Sequence, residues 1–308
     1  MKRLELKAYA KINLALDVTG RREDGYHLVD MVMNQIGLWD TVQLETEERP
    51  AERGFAITLT VEGAALSCGA DNLAWKAAEA MGQIWKEKNG SEAPSVSIRI
   101  VKRIPVAAGL AGGSADCAAV LLGLNALWDL RLDLENLKAA GLSLGADVPF
   151  CVSGQAFGNP FLGLSGGSPG ARAKGVGEKL TPLPQPDFWI LLVKPAFSVS
   201  TGEIYRALDE TPEYEHPDIE QMICGLQEKD WEKVFRNAGN VLEKSVEIRY
   251  PDIKYTKSKI NTIGNPVYTA MSGSGPTLFG LFDSEESCRQ AARKLSEEDG
   301  QVITVPFL

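Results

Sequence analysis

The run Lys102-Arg103-Ile104-Pro105-Val106-Ala107-Ala108-Gly109-Leu110-Ala111-Gly112-Gly113-Ser114-Ala115-Asp116 carries residue types that can hold a phosphate group. Glycine, alanine and one serine leave no bulky side chain to keep a ligand off the backbone. Gly109, Gly112 and Gly113 can adopt positive φ, so successive N–H groups can converge on one concavity. The run leads into an Ala/Leu-rich stretch of helical character. Unpaired N–H groups and the dipole at a helix N-terminus favour an anion there. The same composition also suits a close-packed buried helix with no ligand. Asp116 within the stretch and Pro105 before it argue against a membrane span. No Lys-Ser or Lys-Thr follows the last glycine, and the spacing is not that of a dinucleotide fingerprint.

Three further places could do chemistry. Lys11 and Asn13 alternate with Ile12, Leu14 and Leu16, so they share one strand face. That face is read either as solvated surface or as a lysine and an amide lining a cleft. Asp147 stands in apolar company with Leu144, Ala146, Val148 and Phe150. It is read either as a helix cap or partner of a structural arginine, or as a general base beside a cation. Tyr26 and His27 follow the turn signal Asp24-Gly25. They are edge-strand residues on one reading. On the other, an aromatic face and an imidazole edge recognise a planar heterocycle.

Several elements must position these residues. Strands are expected over Leu4 to Val18, over Leu28 to Leu44 with a turn at Trp39-Asp40, and over Phe55 to Val61. Glu45 to Gly54 reads as a charged loop. A helix is expected over Leu73 to Lys88 with Asn72 as N-cap, and its Trp75 and Trp85 read as core. Val96, Ile98 and Ile100 alternate as the strand before the glycine loop, and Ser114 to Trp128 follows as a helix. A short helix is expected over Asp133 to Gly141. Residues 154–177 read as a long connection. Phe188 to Val193 is an apolar strand, and Ser200 to Tyr205 leads into a helix. Helices fill Pro217 to Ile263. Ala270 to Thr277 is a second Gly/Ser loop, followed by a strand over Leu278 to Phe282, a helix over Ser284 to Glu298, and a terminal strand over Val302 to Phe307.

Composition narrows the class. A chain of 308 residues, 44% hydrophobic and 24% charged, suits one large or two modest globular domains. Lys+Arg 32 against Asp+Glu 41 gives a net charge of -9, which argues against general nucleic-acid binding. Cys68, Cys117, Cys151, Cys224 and Cys288 are scattered with no Cys-x-x-Cys pair, and are read as reduced thiols of a cytoplasmic protein. With only His27 and His216, a multi-histidine metal site is not expected. The charged N-terminus lacks the apolar core of a signal peptide, and nothing marks membrane insertion.

Ala10-Lys11-Ile12-Asn13-Leu14, Gly25-Tyr26-His27, Pro105 to Asp116, Gly145-Ala146-Asp147-Val148-Pro149-Phe150 and Ser272-Gly273-Ser274-Gly275 stand in order across nearly the whole chain. Together they resemble the GHMP kinase superfamily, which includes galactokinase, homoserine kinase and mevalonate kinase. The resemblance implies an α/β (α+β) fold of two domains, 1–155 and 156–308, with the active site in the cleft between them. It implies ATP on the central loop, with backbone contacts from Pro105, Ala107, Ala108, Gly109, Leu110, Ala111, Gly112, Gly113 and Ser114. Asn72 and Lys102 would lie on the nucleotide side, and the Ser272 to Gly275 loop would close on the phosphates. Mg²⁺ is expected; Ser114 is the best candidate near it, but the metal ligands are unknown. Within the superfamily, the Asp-Gly-Tyr-His turn and the Gly-Ala-Asp-Val-Pro-Phe segment point to members that phosphorylate the 2-hydroxyl of a cytidine-diphosphate-linked methylerythritol, in the non-mevalonate isoprenoid pathway. Asp147 would take the hydroxyl proton, and Lys11 would hold Asp147 ionised. Asn13 and His27 would hydrogen-bond the substrate, with Tyr26 and Tyr205 stacking on its base.

The alternatives are a superfamily kinase acting on another small alcohol, and a ligand-sensing relative without turnover. The resemblance leaves the oligomeric state open. Tyr9, Ala111, Ala115 and Cys117 depart from the superfamily pattern, and so does Asn265-Pro266-Val267-Tyr268. Gly158 to Ser168 reads as an additional, mobile surface loop despite Phe161, Leu162 and Leu164.

Overall fold

The computed structural model describes residues 1–48, 54–210, 214–295 and 300–308. Most of the expected charged loop, at 49–53, and the end of the expected helix over 284–298, at 296–299, lie outside the described residues. The chain forms two compact units: 1–10, 38–106 and 111–169 in one, and 11–37, 107–110 and 170–308 in the other. They interleave in sequence because two long strands, β1 (Lys2–Arg21) and β2 (His27–Thr46), each begin in one unit and end in the other.

In the first unit, β4 (Val96–Val101) lies parallel to β3 (Ile57–Glu62) and antiparallel to the end of β2, with Thr41 opposite Val101. Four helices complete it: α1 (Leu73–Asn89), α2 (Gly112–Leu127), α3 (Leu134–Leu142) and α4 (Val148–Gly158). Asn72 caps α1 through a bond from the Ala74 N–H, and Asp133 caps α3 through one from Asn136. α2 is apolar on every side and buried from Ala115 to Asn125, because α1, α3 and α4 all pack against it. Cys117 is buried in this helix, and desolvation pushes its thiol up to about 12, so it packs as a small apolar group. Among the described residues, no helix is long and apolar enough to cross a membrane.

In the second unit, the start of β2 is antiparallel to β5 (Gly170–Gly175), which pairs with β6 (Lys179–Pro182). A separate antiparallel sheet has the order β10-β7-β9-β8, from β7 (Trp189–Lys194), β8 (Tyr268–Met271), β9 (Leu278–Phe282) and β10 (Gln301–Pro306). Its helices are α5 (Thr201–Asp209), α6 (Ile219–Glu228), α7 (Trp231–Asn237), α8 (Val241–Arg249), α9 (Pro251–Gly264) and α10 (Glu285–Ala292). α9 and α10 cover β9, and every residue of that strand is buried.

Three expectations are corrected. First, β1 is buried on both faces: Ile12 and Leu14 are covered, and so are Lys11 and Asn13, so the polar face is not solvated. Second, no turn interrupts β2 at Trp39-Asp40. An acid in a strand reads as a breaker, but here local bonds satisfy it. Third, 154–177 is not one long connection. α4 runs on to Gly158, and Gly170 to Gly175 form β5, whose small residues carry no strand periodicity. Between them, Asn159 is buried and bonds both the N–H and the carbonyl of Lys7, at 3.2 and 3.1 Å. Phe161 is exposed, while Leu162 and Leu164 are half-buried, so this stretch lies on the surface.

Asp40 explains the continuous strand. It is 0% exposed; its Oδ1 accepts the N–H groups of Arg103 (2.5 Å) and Ile104 (2.9 Å), and its Oδ2 accepts Lys102 Nζ (2.5 Å). Lys102 Nζ also donates to Asp116 Oδ2 at 2.7 Å, from inside α2. Burial pushes the Asp116 carboxyl up to about 7; Lys102 opposes this and Asp40 adds to it. Burial alone would lower the Lys102 value, but Asp116 and Asp40 together outweigh it and hold the ammonium above its ordinary range.

A raised carboxyl value means that the folded chain binds more protons than the unfolded one between 3.8 and about 7. The contribution of Asp116 to stability therefore falls as pH rises through that window. Asp116→Asn removes this titration. Its stability relative to the parent protein should improve between about pH 5 and about pH 8 in denaturant unfolding. An equal difference at both pH values would contradict the assignment.

Candidate active site

Lys11 is the centre of the polar cluster in the second unit. β1 delivers it and Asn13 on one face, and the side chains are held together: Lys11 Nζ donates to Asn13 Oδ1 at 2.7 Å. The same ammonium donates to the Gly109 carbonyl at 3.0 Å, and the Lys11 N–H donates to the Leu110 carbonyl at 3.1 Å. The 107–110 segment is thereby stitched to β1. Ser272 Oγ also donates to the Gly109 carbonyl, at 3.0 Å, and receives the Asn13 N–H at 3.4 Å. Asn240 Nδ2 donates to the carbonyls of Met271 and Gly273, both at 2.8 Å, which fixes the second Gly/Ser loop from beneath. Gly109 has φ +72°, and a Cβ there would collide with the Ser272 carbonyl oxygen. At Gly273 a Cβ would stand 3.2 Å from Lys11 Nζ.

The central loop has the backbone of an anion cradle. Ala107, Gly109 and Ala111 have φ of 50°, 72° and 57°. Alternating left-handed residues turn successive N–H groups the same way. Two of the three are alanines, which adopt this region at a cost of about 1–2 kcal/mol each. Among the described residues, no protein acceptor receives the N–H groups of Gly109 through Ser114. Ala108 and Leu110 are buried as whole residues, while Val106 and Ala107 are exposed.

In the first unit, Gly112, Gly113 and Ser114 form the first turn of α2, whose N-cap Ala111 offers no side-chain cap. The Ser114 hydroxyl bonds to no other group among the described residues. Pro105 is half-buried at the other end of the loop. Lys102 Nζ lies under this turn, 3.3 Å from where a Gly112 Cβ would stand. Its ammonium is shared by Asp40 and Asp116, and Asp116 Oδ1 is buried without a hydrogen-bond partner. Asn72 uses its side chain to cap α1 and to donate to the Ser67 carbonyl at 2.8 Å. Asp147 is the N-cap of α4: its carbonyl accepts the Cys151 N–H at 3.1 Å, while its half-buried carboxylate makes no capping bond.

His27 and Tyr205 meet in the second unit, with ring centroids 4.8 Å apart and planes tilted by 34°. Tyr26 does not join them. It is 64% exposed, and its N–H bonds Asp24 Oδ1 at 3.2 Å. His27 Nε2 stands 2.7 Å from Asp209 Oδ1, and Arg21 donates to Asp209 Oδ2 at 3.2 Å.

Sequence reasoning missed Asp40, Ser272 Oγ and Asp209 as individual participants. Asp209 carried a usable signal, because it follows Tyr205 by one helical turn and so shares its face of α5. Asp40 carried a misleading one, since an acid after Trp39 reads as a turn.

Two family models match the chain: GHMP kinases N terminal domain over residues 72–155, and GHMP kinases C terminal over 222–300. A 4-diphosphocytidyl-2-C-methyl-D-erythritol kinase of Alkaliphilus metalliredigens is 42% identical, covering 96% of this chain and 94% of its own. A protein of the same name from Geobacillus kaustophilus is 39% identical, with 99% and 97% covered. A crystal structure of 4-(cytidine 5'-diphospho)-2C-methyl-D-erythritol kinase superposes with a TM-score of 0.75 at 32% identity, covering 99% of both chains. Homoserine kinase from Cytophaga hutchinsonii shares the fold at a TM-score of 0.67 and 17% identity, covering 98% of this chain and 95% of its own.

The packing around Gly109 sets a test. Gly109→Ala adds both a left-handed alanine and a clash with the Ser272 carbonyl, and should cost more than about 2 kcal/mol in denaturant unfolding. Ala107→Gly, which relieves a left-handed alanine without a clash, should cost less than about 1 kcal/mol. Equal stability of Gly109→Ala and the parent protein would contradict the close approach.

Proposed function

The chain belongs to the GHMP kinases, in the family of the 4-diphosphocytidyl-2-C-methyl-D-erythritol kinases, and from that premise we propose that it transfers the γ-phosphoryl group of ATP to the 2-hydroxyl of that substrate. The observation that carries the reading is the row of N–H groups from Gly109 to Ser114 that no protein acceptor takes, in a backbone held open by left-handed residues. Phosphoryl transfer asks a protein mainly for positioning and electrostatic stabilisation, and such amides supply both to an oligophosphate.

Each residue then has a role. Gly109 to Ser114 hold the phosphates through backbone N–H groups, with Pro105, Ala107 and Ala108 shaping the approach. Asn72 and Lys102 stand on the nucleotide side; their side chains are already committed to capping and to ion pairs, so what they supply is the form of the wall. Asp147 accepts the proton of the attacking hydroxyl. Lys11 neutralises charge on the transferring group. Its Nζ is aimed by Asn13 and by the Gly109 carbonyl. Asn13 and His27 bond the substrate, and Tyr205 and Tyr26 flank its base. Mg²⁺, when bound with ATP, would neutralise phosphate oxygens. It needs one or two protein oxygens beyond those of the phosphates, and Ser114 Oγ at the start of α2 fits that need.

Purified protein should convert ATP to ADP only in the presence of the cytidylated alcohol, with the product read by phosphorus NMR. Asp147→Asn should lower kcat by at least about 100-fold and leave ATP affinity within about twofold. Unchanged turnover in that variant would remove Asp147 as the base. Failure of CDP to compete with the alcohol would remove the nucleotide-linked substrate.

A further inference from the structure

We propose that Asp209 is a specificity-determining positioning residue: it holds His27 in the tautomer that accepts a hydrogen bond, so that the ring selects an aminopyrimidine over an oxopyrimidine. The inference rests on the proposed function, in which His27 meets the substrate's base.

The geometry carries the first step. Asp209 receives Arg21 on Oδ2, and a guanidinium can only donate. Its Oδ1 faces His27 Nε2 at 2.7 Å, and a carboxylate oxygen accepts. The shared proton therefore belongs to Nε2. In a neutral imidazole the other nitrogen, Nδ1, is then a lone-pair acceptor. Among the described residues, no donor of the protein reaches Nδ1. The ring cannot easily turn away from this arrangement. Its side chain is 13% exposed, and Tyr205 covers it from the same helix face that carries Asp209. Arg21 Nε also donates to the Gly25 carbonyl at 3.2 Å, which ties Asp209 to the turn just before His27.

The chemistry carries the second step. Cytosine presents an exocyclic amine, a donor, at the position where uracil presents a carbonyl oxygen, an acceptor. A lone pair at Nδ1 pairs with the first and opposes the second. Accepting uracil would require a proton on Nδ1, either moved from Nε2, which leaves Asp209 Oδ1 without its donor, or added to make an imidazolium. A recognition site rejects an analogue most strongly when it leaves such a polar group unpaired. Asp209→Asn removes the constraint, because a carboxamide can offer either its oxygen or its N–H₂ to Nε2.

Two measurements test the proposal. The first is nitrogen-15 NMR of the imidazole nitrogens, recorded on the alkaline side where the signals no longer change with pH. The chain has only two histidines, and His216→Gln assigns the signals. His27 should give the Nε2–H pattern. His216, whose Nδ1 faces Asp17 Oδ1 at 2.7 Å, should give the opposite one. In Asp209→Asn the His27 signals should move toward a mixture. The second is calorimetric binding of CDP and UDP. The preference for CDP should fall by about tenfold or more in Asp209→Asn, with the loss in turnover of the cytidylated substrate falling on KM rather than kcat. An Nδ1–H pattern for His27 in the parent protein overturns the proposal whether or not the variant folds. An unchanged CDP-over-UDP ratio in Asp209→Asn overturns it while leaving the proposed function standing. A parent protein that binds neither diphosphate overturns both.

Discussion

A carboxylate with no access to water governs the first unit. Asp40 sits in mid-strand, and three donors converge on it: two backbone N–H groups at the end of β4 and one ammonium. That ammonium reaches on to Asp116 in α2. One leg of the glycine loop leaves from Arg103 and Ile104, and the other returns just before Asp116. The same cluster of charges therefore fixes both legs. Two buried acids against one base are not a source of stability in themselves, because desolvation offsets most of their attraction. Their value is geometric. Removing any member strands the others, a loss of about 3–5 kcal/mol, so the loop's ends have one permitted arrangement.

The second unit fixes the middle of that loop by a different means. The Gly109 carbonyl takes Lys11 Nζ and Ser272 Oγ together, and the absence of a side chain at Gly109 lets the Ser272 carbonyl come close. The carbonyls of Gly109, Leu110 and Ala111 are taken by the protein while, among the described residues, the N–H groups of Gly109 to Ser114 are not. That asymmetry separates a cradle for anions from an ordinary turn, in which donors and acceptors satisfy each other. It also explains why left-handed alanines persist at 107 and 111: the surrounding bonds over-determine a backbone that the residues alone would not choose.

Much of this was legible in the sequence where periodicity or capping chemistry is strong. The helix from Leu73 with its Asn72 cap, the helix after the glycines, the apolar strands β7 and β9 and the loop at Ser272 were all readable. The combination of Lys11, His27, the glycine loop and Asp147 pointed to the family that the comparisons show. Illegible features were of one kind: a polar residue whose partner is distant in sequence. Lys11 and Asn13 alternate with apolar residues as a solvated face would, yet the Gly109 carbonyl, Ser272 Oγ and Met31 Sδ lie against them. Asp40 looks like a turn until the N–H groups of residues 103 and 104 are seen to need it. β5 hides among glycines and alanines because its pairing with β2, not its side chains, makes it a strand.

An acidic chain that takes up an oligophosphate poses an electrostatic question, since the net charge of -9 repels such a ligand at long range. Several of its cations give little relief. Lys102 is shared by two carboxylates, Arg21 is paired with Asp209, and Arg172 is divided between Asp30 and Glu220. Backbone N–H groups answer the question, because they carry local positive potential without a net charge and need no counter-ion. In the proposed reading, a row of such groups ending at the N-terminus of α2 would attract phosphate oxygens over a few ångströms. The overall charge thus disfavours polyanions that would spread over the surface, and leaves open a small one that fits the loop. The proposed recognition step would follow the same economy: His27, held by Asp209, would offer a lone pair to the hydrogen-bonding edge of a base.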